Sequence, residues 1–212
     1  MTQNDLFNAI HEGMLHAAKT YYDWTGGEII NYRAGEGFIV SNVAQHIMSL
    51  KKKAPAHIFL EYPIEYILEN SSPTPGPKPI PLQGGRVDIA ITNEEFYTQF
   101  AIEIKSTPWN DRCEYDFNRM AILYNRLINK QGDTKLRATI CAPLIISCAD
   151  ADNKAEQNLE TNIENWKKRY EGLANFNKVK VSFDVAKDAL IVENDDRRWA
   201  MKSLCVIIKD LD

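Results

Sequence analysis

The chain has 212 residues, of which 44% are hydrophobic and 25% are charged, and its formal net charge at pH 7 is −4. This composition is typical of a globular protein that buries a core. The acidic balance excludes a global attraction to nucleic acid but leaves room for a local basic face.

Targeting and cysteine signals are weak. The N-terminus lacks a basic segment followed by an apolar run, and no apolar stretch approaches the roughly 18 residues of a membrane span. The four cysteines form no CxxC pair and no zinc-type spacing. We therefore expect a cytoplasmic protein with free thiols and no membrane partner.

The first half of the chain begins with two helical patterns. Apolar residues recur at three- and four-residue steps over residues 4–23 and again over residues 36–51. Asn4 or Asp5 is the expected cap of the first helix, and the glycines at 26 and 27 end it. Residues 57–62 then predict the first strand.

A proline-rich segment separates this strand from the next. Residues 71–81 contain five prolines, which exclude a helix or a central strand. The segment from 73 to 81 is expected to be an extended loop. Two interpretations stay open for it, a spacer between strands and a flap over a substrate groove.

The remaining elements complete the fold class. Two strands at residues 86–91 and 100–105 precede further helices and strands. The later helices are expected at residues 110–129 and 155–173, and the later strands at 137–146 (bent or ended near Pro143), 179–185 and 199–208. This order predicts one α/β domain over residues 1–212, with a central mixed β-sheet flanked by helices.

The strands at 86–91 and 100–105 carry charges where buried strands usually carry only hydrophobic residues. Side chains alternate between faces, so Glu103 and Lys105 share one face, and Asp88 lies on the charged face of its own strand. Burial of a charge is unfavourable unless the charge is paired or binds a metal. These three residues are therefore candidates for a functional site.

The hairpin register decides whether the two acids meet. A two-residue turn at Asn93 and Glu94 would separate Asp88 from Glu103 by roughly 13 Å along the strand. A wider loop near residues 94–97 would place them opposite each other, with β-carbons about 5 Å apart. We predict the wider loop, which a shared cation would stabilise.

An Asp on one strand, Glu-x-Lys on the next and a helix after them resemble the PD-(D/E)XK nuclease superfamily. The matching residues are Asp88, Glu103 and Lys105, and the order of elements matches from about residue 36 to 146. Val87 stands where the superfamily's variable proline would be. The resemblance implies a restriction-endonuclease-like core, extended here by an N-terminal helix and C-terminal elements.

The resemblance also implies an activity, the Mg²⁺- or Mn²⁺-dependent hydrolysis of DNA, and roles for the residues. Asp88 and Glu103 would bind the ion together with the main-chain carbonyl of Ile104. Lys105 would orient or activate the attacking water, as a charge or, with a depressed pKa, as a base. RNA as substrate and a homodimer stay open.

Further residues are candidates for the same site. Glu61 could add a metal-binding acid from the first strand, and Glu36 could add one from the second helix. Each has an alternative role, Glu61 in a strand-end ion pair and Glu36 in favouring the helix start.

Substrate contacts are predicted around the following helix. Arg119 could hold a phosphate, and Trp109 and Asn110 could contact a nucleotide. A surface salt bridge of Arg119 and core packing of Trp109 are the alternatives. For the whole chain, the alternatives are a catalytically inactive nuclease-fold module that binds DNA or a protein partner, and an unrelated α/β domain with a structural ion pair.

Overall fold

The computed structural model describes residues 1–30, 35–50, 55–70, 82–106, 111–128, 136–150, 154–194 and 197–209. The helices in these ranges are α1 (Gln3–Thr25), α2 (Glu36–Met48), α3 (Ile64–Asn70), α4 (Asp111–Ile128) and α5 (Lys154–Asn177). The strands are β1 (His57–Pro63), β2 (Arg86–Thr92), β3 (Thr98–Lys105), β4 (Ala138–Ala149), β5 (Val181–Val185), β6 (Leu190–Asn194) and β7 (Arg197–Ile208).

The strands form an open, mixed, seven-stranded sheet in the order β1-β2-β3-β4-β7-β5. Only the β3–β4 pair among them is parallel, and β6 pairs with β7. β5 pairs with residues 204–208 of β7, and β6 pairs with residues 197–201 of β7. The two short strands therefore lie one after the other along β7. The predicted α/β class with a mixed sheet between helices is confirmed.

The sheet separates two hydrophobic cores. One contains the inward residues of α1 and α2 together with Ile89, Ile102 and Ile104. The other contains residues of α3, α4 and α5 together with Ala90 and Ala101. The predicted apolar face of β2 and β3 therefore packs on α1 and α2, and the charged face lies towards α4.

Local sequence signals explain both ends of α1, with one correction to the predicted cap. The cap of α1 is Thr2, whose side chain accepts a hydrogen bond from the Asp5 backbone N–H, while the Asp5 carboxylate accepts one from the Thr2 N–H. The prediction of Asn4 or Asp5 as the cap was wrong because this reciprocal pair starts the helix earlier. Gly26 ends α1 in the left-handed conformation with φ 74°, as predicted.

Two short elements were not predicted, and one strand is longer than expected. α3 follows β1 directly and buries Ile64, Ile67 and Leu68, but its seven residues are too few for a clear helical period. β6 has only five residues. β4 continues through Pro143 to Ala149, because β7 pairs with it on both sides of the proline.

No helix among the described residues is both long and apolar enough to cross a membrane. All four cysteines are free, as expected. The proline-rich loop at 73–81, Trp109 and Asn110 lie outside the described residues.

Candidate functional site

The predicted acids lie side by side across β2 and β3. The two strands pair with Ile89 opposite Ile102, and the next step of this register places Asp88 opposite Glu103. β2 ends at Thr92 and β3 begins at Thr98, so the connecting loop is the wider one that the sequence predicted. Both acids are buried, Asp88 to 9% and Glu103 to 4% relative exposure.

The regular pairing of the strands stops at the acids. The last paired residues are Ile89 and Ile102, and beyond them the backbone N–H of Ile104 donates to Asp88 Oδ2 at 2.6 Å. Burial raises the pKa of Asp88 to about 6, although this hydrogen bond and the Lys105 charge both favour the carboxylate. Ile104 thus enters the site through its backbone, and the role of its carbonyl as a metal ligand stays a prediction.

Lys105 is the cation at the centre of the cluster. Its ammonium nitrogen lies 3.1 Å from Glu36 Oε1, 3.2 Å from Glu103 Oε1 and 3.1 Å from Asp116 Oδ2. Burial lowers the pKa of Lys105, but the surrounding carboxylates outweigh burial and raise it overall. Lys105 is therefore a charged ammonium in this arrangement, which suits electrostatic stabilisation rather than proton abstraction.

Glu103 is the most constrained acid of the cluster. Its Oε1 oxygen forms salt bridges with the Lys105 ammonium and with the Arg119 guanidinium, the latter at 2.9 Å. Its Oε2 oxygen is buried and has no hydrogen-bond partner in the described part of the chain. Burial, followed by the charge of Asp88, raises the pKa of Glu103 to about 8. A buried carboxylate oxygen without a partner is the kind of group that a cation would satisfy.

The two additional acids approach the cluster from different elements. Glu36 opens α2 and reaches Lys105, as stated above. Glu61 is exposed and has a positive φ of 51° on β1, between the residues that pair with Ile89 and Val87 of β2. Its charge raises the pKa of Asp88, so it lies within electrostatic range of the site. Glu61, Asp88 and Glu103 thus occupy neighbouring positions across three strands.

Asp116 is a member of the cluster that the sequence analysis did not assign to the site. It lies on α4 at 8% relative exposure and contacts Lys105 and Arg119, the latter at 3.1 Å. Asp116 lies three residues after the buried Cys113 and four before the buried Met120. A carboxylate at such an inward position of an amphipathic helix is the signal that could have identified it.

The predicted substrate contacts have a mixed outcome. Arg119 lies in the cluster with an 11% exposed side chain, bound to Glu103 and Asp116. Its role as a phosphate ligand stays a prediction, because this geometry equally suits the alternative of an interelement salt bridge. Trp109 and Asn110 precede α4 outside the described residues, so their predicted contacts also stay predictions.

The charge balance of the cluster is negative. The cluster and its immediate neighbourhood hold five acids and two cations, Lys105 and Arg119; the acids are Glu36, Glu61, Asp88, Glu103 and Asp116. Within the described ranges, no three His, Cys, Asp or Glu side chains are arranged as a preformed metal site. Mg²⁺ needs fewer protein ligands, since it commonly uses one or two carboxylates and keeps several waters. The donor set, with an unpaired oxygen on Glu103, fits such an ion.

Comparisons with protein-family models, curated proteins and solved structures find no match to this chain. The functional argument therefore depends on the residues and their geometry.

Proposed function

We propose that this protein is a metal-dependent nuclease of the PD-(D/E)XK type that hydrolyses phosphodiester bonds of DNA. The observation that carries the proposal is the position of Asp88 opposite Glu103, one step beyond the last paired residues of β2 and β3, with the Lys105 ammonium 3.2 Å from Glu103. Helices on both sides of a mixed sheet are consistent with a restriction-endonuclease-like core. RNA as substrate, a homodimeric state and a cytoplasmic location are compatible with the proposal.

Each residue has a stated role in the proposal. Asp88 and Glu103 would hold Mg²⁺ or Mn²⁺, with Glu61 and the Ile104 carbonyl as further ligands. The ion, when bound, would lower the pKa of a water and offset charge on the scissile phosphate. Lys105 would place its positive charge beside the attacked phosphate and orient the water.

The cations of the site also favour a second function, that of a catalytically inactive nuclease-fold module binding DNA or a protein partner. Lys105 and Arg119 already neutralise one oxygen of Glu103 and both oxygens of Asp116 without an ion. A network satisfied in this way can be purely structural. The unpartnered Oε2 oxygen of Glu103 favours the catalytic proposal over this one.

Plasmid cleavage tests the proposal directly. Supercoiled DNA is incubated with the protein and Mg²⁺ or Mn²⁺, and the assay is repeated with Asp88→Ala and Lys105→Ala. The matched controls are Asp150→Ala and Lys19→Ala, whose side chains are 86% and 50% exposed. We expect cleavage by the parent and both controls and its loss in both site variants. Absence of cleavage by the parent, or equal cleavage by Asp88→Ala, would overturn the proposal.

Ion binding gives an independent measurement. A ligand that binds only the folded state at 100 times its Kd stabilises that state by about 2.7 kcal/mol. We expect MgCl₂ to raise the Tm of the parent and of Asp150→Ala but not that of Asp88→Ala. An equal rise in all three would mean that the ion binds elsewhere.

A further inference from the structure

Five aromatic rings form a continuous series along the edge strand of the sheet. His57 stacks on Phe96 with ring centroids 4.4 Å apart and planes 1° apart, and Phe59 stacks on Tyr62 at 4.8 Å. His57 and Phe59 are 6.1 Å apart, and Tyr62 and Tyr66 are 5.8 Å apart. We call this series, Phe96-His57-Phe59-Tyr62-Tyr66, the aromatic ladder.

Both ends of the aromatic ladder face solvent. Phe96, in the β2–β3 loop, is 49% exposed and Tyr66, on α3, is 52% exposed. The three rings between them are only partly buried. Aromatic side chains are normally buried when they serve a core, so half-exposed rings at both ends indicate a binding surface.

The aromatic ladder runs past the acids of the candidate site. Phe59 pairs with Ala90 and Tyr62 with Val87, so the middle of the ladder flanks Asp88, which lies between these two partners on β2. Phe59 and Tyr62 also pack against the same core as Ala90 and Ala101, which lie on the acid-bearing face. The middle of the ladder therefore lies beside the position of Asp88 on the sheet.

We infer that the aromatic ladder binds the unpaired bases of single-stranded nucleic acid and directs its backbone to the acids at Asp88 and Glu103. This inference rests on the proposed function. Stacking of bases on aromatic rings is tolerant of sequence and suits strands whose bases are free. In a duplex the base faces are already stacked on one another, so the ladder could contact only frayed or unpaired regions. The ladder would thus give the protein a preference for unpaired over fully paired regions of DNA.

Binding of short oligonucleotides tests the inference. Fluorescence anisotropy in EDTA, where metal-dependent cleavage cannot occur, compares a labelled 20-nucleotide oligo-dT, a duplex of equal length and an abasic strand that keeps the phosphates. We expect the oligo-dT to bind more tightly than either. Base stacking is worth about 1–3 kcal/mol per base, so Phe96→Ala and Tyr66→Ala should each weaken oligo-dT binding by about 5- to 150-fold.

The chain provides matched controls. Phe176 on α5 is 82% exposed and lies outside the aromatic ladder, so Phe176→Ala should leave binding unchanged. Tyr66→Phe and Phe96→Trp keep a stacking ring and should keep the affinity, which separates loss of stacking from misfolding.

Three results would overturn the inference: equal binding of the abasic strand and oligo-dT, an effect of Phe96→Ala no larger than that of Phe176→Ala, or conversion of a dimer to a monomer by Phe96→Ala without a change in DNA binding. The last result would assign the surface to a second copy of the chain.

Failure of the ladder is distinguishable from failure of the nuclease proposal. Asp88-dependent plasmid cleavage unaffected by ladder variants would reject the ladder alone, and ladder-dependent binding without cleavage would reject the nuclease alone.

Discussion

The carboxylate of Asp88 accepts a hydrogen bond from the backbone N–H of Ile104, 2.6 Å away, where β2 and β3 stop pairing with each other. This contact anchors one acid of the site to the strand that carries Glu103 and Lys105. It therefore fixes the Asp88 carboxylate relative to the strand that carries the other two residues. Second contacts of this kind are what hold a metal-binding or catalytic group in place.

Asp116 should be a positioning residue for the proposed reaction. Its carboxylate holds Lys105 and Arg119, so Asp116→Asn would leave both cations free to bind Glu103 more tightly. Loss of such supporting contacts typically costs about 10- to 100-fold in activity or metal affinity. We expect a decrease of this size in plasmid cleavage and a higher Mg²⁺ concentration for half-maximal rate. Unchanged metal dependence, matching an Asp150→Asn control, would assign Asp116 a structural role only.

The stability of the metal-free protein should fall as the pH rises through the titration of Glu103. Burial raises the pKa of Glu103 to about 8, whereas a glutamate in the unfolded chain titrates near 4.3. Between these values the folded state binds more protons than the unfolded state, so the free energy of unfolding decreases with increasing pH.

Glu103→Gln, which cannot ionise, isolates this contribution. In EDTA, its free energy of unfolding relative to the parent should increase between pH 5 and pH 8, as measured by urea denaturation at several pH values. Glu171→Gln, at an exposed position of α5, is the control. A constant difference between Glu103→Gln and the parent would contradict the raised pKa.

Protonation of His11 should destabilise the folded protein in mild acid. It bridges Ser203 Oγ at 2.5 Å and Asp184 Oδ1 at 3.2 Å, and it is 6% exposed. Burial lowers its pKa, and this effect outweighs the opposing hydrogen bond and charge of Asp184. Because the unfolded histidine titrates near 6.5, the unfolded state gains protons first, and stability is lost as the pH falls from about 6.5 through the folded pKa.

Replacement of His11 tests that effect. Between pH 7.5 and pH 5, the free energy of unfolding from urea denaturation should fall less for His11→Gln than for the parent. At pH 7.5 the variant should be less stable by about 1–3 kcal/mol, because glutamine makes poorer hydrogen bonds there. The partly buried His57 provides a second variant, His57→Gln, for comparison. If His11→Gln and the parent lose stability in parallel on acidification, the assignment fails.

Gly13 should be required for the close approach of α1 and α2. A Cβ at this position would lie 2.6 Å from Val43 Cα, so Gly13→Ala would force the helices apart. We expect a loss of about 1–3 kcal/mol in the free energy of unfolding. Gly172 on α5 has no atom within 4 Å of such a Cβ, and Gly172→Ala should be neutral or stabilising by up to about 1 kcal/mol. Equal effects of the two variants would show that the packing tolerates the methyl group.

Much of the fold could be predicted from local patterns. The period of apolar residues identified α1, α2, α4 and α5, and alternation identified β2 and β3, because both signals depend only on neighbours along the chain. The same alternation placed Glu103 and Lys105 on one face. The hairpin register was predicted too, but only on the assumption that the two acids share a cation that offsets their repulsion.

Contacts between distant segments could not be derived in this way. The entry of Asp116 and Arg119 into the cluster depends on how α4 is rotated against the sheet, and that rotation is set by packing of the whole second core. The aromatic ladder likewise needs Phe96, from a loop, to meet His57 of β1.

The sequence alone therefore determined that two acids and a lysine share a buried, charged strand pair, because alternation along a strand is a local property. Only the tertiary structure decided which other charges and rings surround them, because side chains far apart in the chain meet through the packing of helices on the sheet. The charge balance of the site, five acids to two cations, is such a property of the folded protein.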